Sequence, residues 1–139
     1  FKKDSLLYQC FFGYEIKLAG PNKYDPYTAI LMDDMRANNR FFYFNYILTI
    51  KKNHILYEFT TFSKKKLSKS YLENILKSQL KKSSIKINKI TKKEFGVIPM
   101  GFIDKEKLIK KSKFYYAGTT AGAIRPSSGY AFLRIQQWA

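Results

Sequence analysis

The stretch Phe41-Phe42-Tyr43-Phe44-Asn45-Tyr46-Ile47-Leu48-Thr49-Ile50 decides the fold. It is dominated by aromatic and β-branched residues and holds neither glycine nor proline, so it predicts a strand. Lys51-Lys52-Asn53 reads as a turn, and residues 54–62 run back as a second apolar strand, which completes a hairpin. Upstream, residues 6–18 read as a strand with a bulge at Gly13. After the turn signals Gly20-Pro21-Asn22 and Asp25-Pro26, residues 27–32 read as another strand, ended by Asp33-Asp34. Downstream the period changes. Ser70-Tyr71-Leu72-Glu73 fits a capping box, and Leu72, Ile75, Leu76 and Leu80 recur at helical spacing. Lys81-Lys82 suits the end of that helix, where the macrodipole favours cations. Ile85, Ile87 and Ile90 predict a further strand, and residues 96–101 are apolar but broken by Pro99. The fold class is α/β of an α+β-like kind, an antiparallel-rich sheet with a covering helix.

Composition bounds the function. At 139 residues the chain is about one domain and can bury a real core. Hydrophobic content of 45% and aromatic content of 17% exclude disorder by composition. No apolar run is long enough to span a bilayer. The opening Phe1-Lys2-Lys3-Asp4 has no initiator Met and no signal-peptide core, and reads as a chain entered midway. A lone Cys10 excludes an internal disulfide, and with a lone His54 it argues against a zinc site or a Cys–His nucleophile. The formal net charge is +16, yet of 26 basic residues 22 are lysine and four arginine, whereas readers of phosphate and base edges favour arginine. Solvation is therefore the first reading of the lysines, an anionic membrane surface the second, and specific nucleic-acid binding the last.

Residues 118–130, Gly118-Thr119-Thr120-Ala121-Gly122-Ala123-Ile124-Arg125-Pro126-Ser127-Ser128-Gly129-Tyr130, lie between an apolar segment and a helix-like one. Glycines among small hydroxyl residues let backbone press closely on a ligand, and N–H groups at a helix start attract phosphates. An ordinary strand–helix connection has the same composition.

Several segments together resemble the flavin-dependent lycopene cyclases of carotenoid synthesis. Tyr8-Gln9-Cys10-Phe11-Phe12-Gly13-Tyr14-Glu15 is similar to that family's Gly-Trp-Glu segment, with Tyr14 in the tryptophan's place. Tyr24-Asp25-Pro26 and Leu31-Met32-Asp33 resemble its Phe-Asp-Pro and Met-Asp pair. Leu56-Tyr57-Glu58-Phe59-Thr60 stands where the family carries an acidic motif, here with Phe59 in place of the second acid. Ile98-Pro99-Met100-Gly101 matches its Ile-Pro-Met-Gly, and residues 118–130 resemble its flavin-contacting turn. The matches are collinear over residues 6–132.

The resemblance implies a flavoprotein fold in which residues 1–112 form the substrate-facing sheet domain and 113–139 the returning strand–turn–helix of the FAD-binding domain. The family's Gly-x-Gly-x-x-Gly unit is not found in this sequence. The expectation is therefore a fragment, with neither tight FAD binding nor turnover on its own. The implied activity is non-redox cyclisation of the linear ends of lycopene to ionone rings, with reduced FAD and NAD(P)H as its reductant. The implied location is cytoplasmic, peripheral to the membrane where the substrate dissolves.

That chemistry needs an acid that stays protonated in an apolar setting and aromatic faces that stabilise a carbocation without trapping it. Glu58 is the first candidate acid: it is the one acidic residue within the apolar hairpin, and alternation sets it beside His54, Leu56, Thr60 and Phe62. Asp33 is either a second acid–base group or a turn aspartate, and Glu15 carries less weight. Tyr43, Phe44 and Met100 are the candidate substrate contacts. Gly118, Thr119, Ala121, Gly122, Pro126, Ser128 and Gly129 are the candidate flavin contacts, and no metal is implied. Two other classes stay open: a related FAD-dependent oxidoreductase or hydroxylase domain, and a basic module that binds membranes or RNA.

Overall fold

A computed structural model describes residues 5–101, 118, 123, 125 and 130–137. Strands β1 (Ser5–Leu18), β2 (Ala29–Ala37), β3 (Phe41–Lys51) and β4 (His54–Ser63) precede helix α1 (Lys69–Lys82). Strand β5 (Ile87–Gly101) and a short helix α2 (Phe132–Gln136) follow. The strands form one sheet in the order β2-β3-β4-β1-β5, and every pairing is antiparallel. The architecture is a small α+β domain whose sheet carries one long helix. Among the described residues no helix is long and apolar enough to cross a membrane.

Partners opposite one another in register share a face, and alternate residues change face. Cys10, Phe12, Tyr14 and Ile16 of β1 thus share a face with Ile55, Tyr57 and Phe59 of β4. They form one buried cluster with Leu72, Leu76 and Leu80 of α1. Burial of each large side chain contributes roughly 1.5–3 kcal/mol, so this layer supplies the main drive to fold. The Tyr14 hydroxyl donates to Glu73 Oε1 at 2.7 Å, which ties the helix to the central strand. Lys93 and Lys77 approach the same carboxylate at 3.0 and 3.4 Å. Together, Tyr14 first, they hold Glu73 down at about 2.

Four local expectations are corrected. The helix is capped by Ser68, which accepts from the Tyr71 N–H, two residues before the expected Ser70. Glu73 turns to the sheet instead of closing a capping box, because a phenol and two ammonium groups are stronger partners than one backbone N–H. Gly13 is not bulged, since β1 pairs regularly there with both neighbours. The irregularities against β5 fall at Ser5/Leu7, Glu15/Ile16 and Lys17/Leu18. Strand β2 runs through Asp33-Asp34 to Ala37 by taking two register shifts against β3, with Met32 and Asp34 at φ 58° and 50°. Each shift absorbs one extra residue, as bulges do. The two segments expected around residues 85–90 and 96–101 are one strand, β5. Pro99 is tolerated there because β5 is an edge strand and has β1 as its partner.

Candidate active site: a carboxyl pair on the aromatic face

The sheet face turned away from α1 holds Glu58. On β4 it lies opposite Tyr46 of β3 on one side and Gly13 of β1 on the other. Gly13 in turn lies opposite Glu94 of β5. A Cβ at Gly13 would meet Glu94 Oε1 at 2.9 Å and Cγ at 3.0 Å, so the Glu94 side chain lies flat over the glycine. Its carboxyl thereby comes within hydrogen-bonding reach of the Glu58 carboxyl. The same device recurs one step along, where the Phe11 ring lies over Gly96.

The electrostatics of Glu58 follow from this packing. Burial pushes its carboxyl up most, the Thr60 hydroxyl pulls it down, and Glu94 raises it further, to about 7. Thr60 Oγ1 donates to Glu58 Oε1 at 2.6 Å, which fixes the carboxyl's orientation. Among the described residues no lysine, arginine or histidine lies within ion-pairing distance of Glu58 or Glu94. Two cations of this face, Lys92 at 3.3 Å and His54 at 3.6 Å, pair with Glu15. A carboxyl so placed keeps its proton in about half of the molecules at pH 7 and can act as a proton donor.

The face is also polarised along its length. From the carboxyl pair toward Ser63, the register brings up Phe11, Phe44, Phe42, Phe62, Ile98 and Met100. The rings touch: Phe44 meets Tyr46 at 5.1 Å and Phe62 at 5.7 Å, and Phe42 stacks on Phe62 at 6.1 Å. Toward the other end stand Glu15, His54 and Lys92. Strand rise puts Met100 roughly 20 Å from Glu94. Phe42 and Phe62 also line an open groove of about 600 Å³, with Leu7, residues 38–41, residues 63–65 and Leu67.

The sequence-predicted residues scatter over this frame. Phe44, 1% exposed, and Met100, 4% exposed, share the Glu58 face. Tyr43 does not, since its ring packs on Phe59 at 5.3 Å on the α1 side. Asp33 lies opposite Asn45, again on the α1 side. There it reinforces what burial and Tyr24 do to the Tyr57 hydroxyl, which is pushed up to about 12. The sheet thus separates Asp33 from Glu58. Of the expected flavin contacts Gly118 alone is described. It sits at φ 62°, and its carbonyl accepts the Ala123 N–H at 3.2 Å. Thr119, Ala121, Gly122, Pro126, Ser128 and Gly129 lie outside the described residues. Sequence reasoning missed Glu94; the available signal was Gly13, a glycine inside an otherwise bulky strand, which marks a close approach. Among the described residues no group of three or more His, Cys, Asp or Glu could hold a metal ion.

No curated protein and no solved structure matches this chain. The family model described as lycopene cyclase protein matches residues 2–139. The match brings with it a role among enzymes of carotenoid biosynthesis and a carotenoid substrate. With nearly every residue inside that match, the chain belongs to the lycopene cyclase family.

Proposed function

We propose that the protein cyclises the linear end groups of lycopene by acid–base chemistry, with Glu58 as the proton donor. The observation that carries the reading is a carboxyl pushed up to about 7 at the head of an aromatic track. In this scheme the Glu58 O–H bond breaks as a C–H bond forms on the terminal alkene carbon. The neighbouring double bond closes the ring, and a C–H bond next to the new cation releases its proton. Tyr46, opposite Glu58 and backed by the buried Phe44 ring, presents a π face to the positive charge without offering it a strong nucleophile. The polyene lies along Phe42, Phe62 and Met100, away from the ionic cluster at Glu15. Asp33 and Tyr43, across the sheet, take no part in this step.

Residues 1–112 serve as the substrate-facing unit in this reading, and 113–139 return to a flavin-binding one. Reduced FAD, with NAD(P)H as its reductant, assists by electrostatics or proton transfer when bound. Support comes from Gly118, whose left-handed backbone suits glycine and whose nearest neighbour to an added Cβ, Ile135 Cδ1, is 3.9 Å away. The reaction takes place at a membrane surface, on the cytoplasmic side, where a long hydrocarbon dissolves.

Deuterium tests the chemistry. The product of the complete gene is supplied with lycopene in D2O, and the carotenes are read by mass spectrometry. Acid-initiated closure leaves up to one solvent deuterium per ring and consumes no reductant in proportion to product. Oxygenated product, or NAD(P)H consumed mole for mole with carotenoid, refutes the cyclase reading in favour of a redox flavoprotein.

A further inference from the structure

We infer that Glu94 is a positioning residue: laid across Gly13, its carboxyl accepts a hydrogen bond from Glu58 and keeps Glu58 in its proton-bearing form. The inference rests on Glu58 being the proton donor. It stands on three features of the face. A carboxyl from the edge strand spans the central strand, and it can do so because Gly13 has no side chain where Glu94 Oε1 and Cγ lie. No cation of the described residues neutralises either carboxyl, and Lys92 and His54 are held by Glu15. Thr60 occupies Oε1 of Glu58 as a donor, which leaves the acidic hydrogen of Glu58 to point toward its other neighbours.

The consequence is quantitative. An ordinary glutamic acid carries its proton in roughly one molecule of several hundred at pH 7. Burial does most to favour the protonated form of Glu58, and a second carboxyl placed against it favours that form further, so that it becomes a major species. It also drives the return step. When Glu58 gives its proton to the alkene, two carboxylates face each other, and their repulsion favours recapture of the proton lost from the ring. The Glu58 O–H bond broken at the start is then re-formed, and the cycle balances without a further reagent. The other titratable groups of this face are Glu15 and Lys17 on β1, Tyr46 and Lys51 on β3, His54 on β4, and Lys89 and Lys92 on β5. The Tyr46 hydroxyl is raised by burial and then by Glu58, so it stays neutral.

Two variants separate the pair by different means. Glu94→Gln removes the second acid. Gly13→Ala keeps both acids and puts a Cβ where the end of the Glu94 side chain lies. Circular dichroism confirms that each folds. Carbon-13 NMR of labelled glutamate carboxyls then follows Glu58 in each protein, and its midpoint is expected to fall in both variants while staying above the ordinary carboxylate range, because burial is the larger cause. A fall of one pH unit leaves about tenfold less protonated acid at pH 7.5. In the product of the complete gene, kcat should drop about as much there, with KM unchanged and with most of the activity recovered at pH 5.5. An unmoved Glu58 midpoint, or wild-type pH–rate profiles in both variants, overturns the role of Glu94 alone. Full activity in Glu58→Gln would instead overturn the reading on which it rests.

Discussion

Glu58→Gln should stabilise the domain, and only above a definite pH. In the unfolded chain Glu58 titrates near 4.5, whereas in the fold it titrates at about 7. Between those values the native state binds more protons than the unfolded one, so stability falls as pH rises. The rise from 4.5 to about 7 corresponds to a loss of roughly 3 kcal/mol once the pH is above both values. Glutamine keeps the shape and still accepts from the Thr60 hydroxyl, but it cannot ionise. The variant and the wild type should therefore be nearly equal at pH 4.5 and diverge by roughly 3 kcal/mol at pH 8. Glu73 acts in the opposite sense and in another window. Its carboxyl is held down at about 2, so its contribution is present above 4.5 and is lost as pH falls below that. The wild type should thus be most stable near pH 4.5–5, on the acid side of neutral. Urea denaturation followed by circular dichroism at pH 4.5, 6, 7 and 8 reads both curves. Parallel curves for the two proteins, or wild-type stability that rises from pH 5 to 8, would refute the argument that burial and Glu94 keep Glu58 protonated.

Other expectations concern the frame around the site. Tyr14→Phe removes the hydroxyl that binds the Glu73 carboxylate at 2.7 Å and should cost roughly 1.5–3 kcal/mol by denaturant titration, with the loss shrinking below pH 4. Leu76→Ala empties a fully buried position under α1 and should cost about 2–5 kcal/mol in the same measurement. Gly96→Ala drives a methyl group into the Phe11 ring and should cost roughly 1–3 kcal/mol, visible as shifted Phe11 ring resonances. Met32→Gly relieves a left-handed, non-glycine conformation on an exposed edge and should stabilise by about 1 kcal/mol, or less once glycine's unfolded-state entropy is counted.

Where burial and period act alone, sequence reading reached the structure. The run from Phe41 to Ile50 is a strand because every alternate ring finds a buried neighbour, and the leucines of α1 repeat at the spacing that packs one helix face. The same alternation put Glu58 on a face with Thr60 and Phe62. What the sequence did not disclose is whatever depends on register between distant segments. Glu94 meets Glu58 only because β1 pairs with β4 and β5 at once, with Gly13 opposite both acids. Asp33 looked like a strand end; two bulges carry β2 past it, and its pairing with Asn45 turns it to the helix side. Tyr43 and Phe44 are adjacent in sequence and therefore on opposite faces, so aromatic content alone could not assign them. Pro99 looked like a break, and edge position makes it harmless.

The central claim is that Glu58 delivers the proton that closes the ring. The complete gene, expressed in lycopene-accumulating bacteria beside its Glu58→Gln variant, tests it with one chromatogram of the pigments, once both proteins are shown to be folded and equally abundant. The account predicts cyclised carotenes from the wild type and unchanged lycopene from the variant. Cyclised carotenes at wild-type level from Glu58→Gln would contradict it.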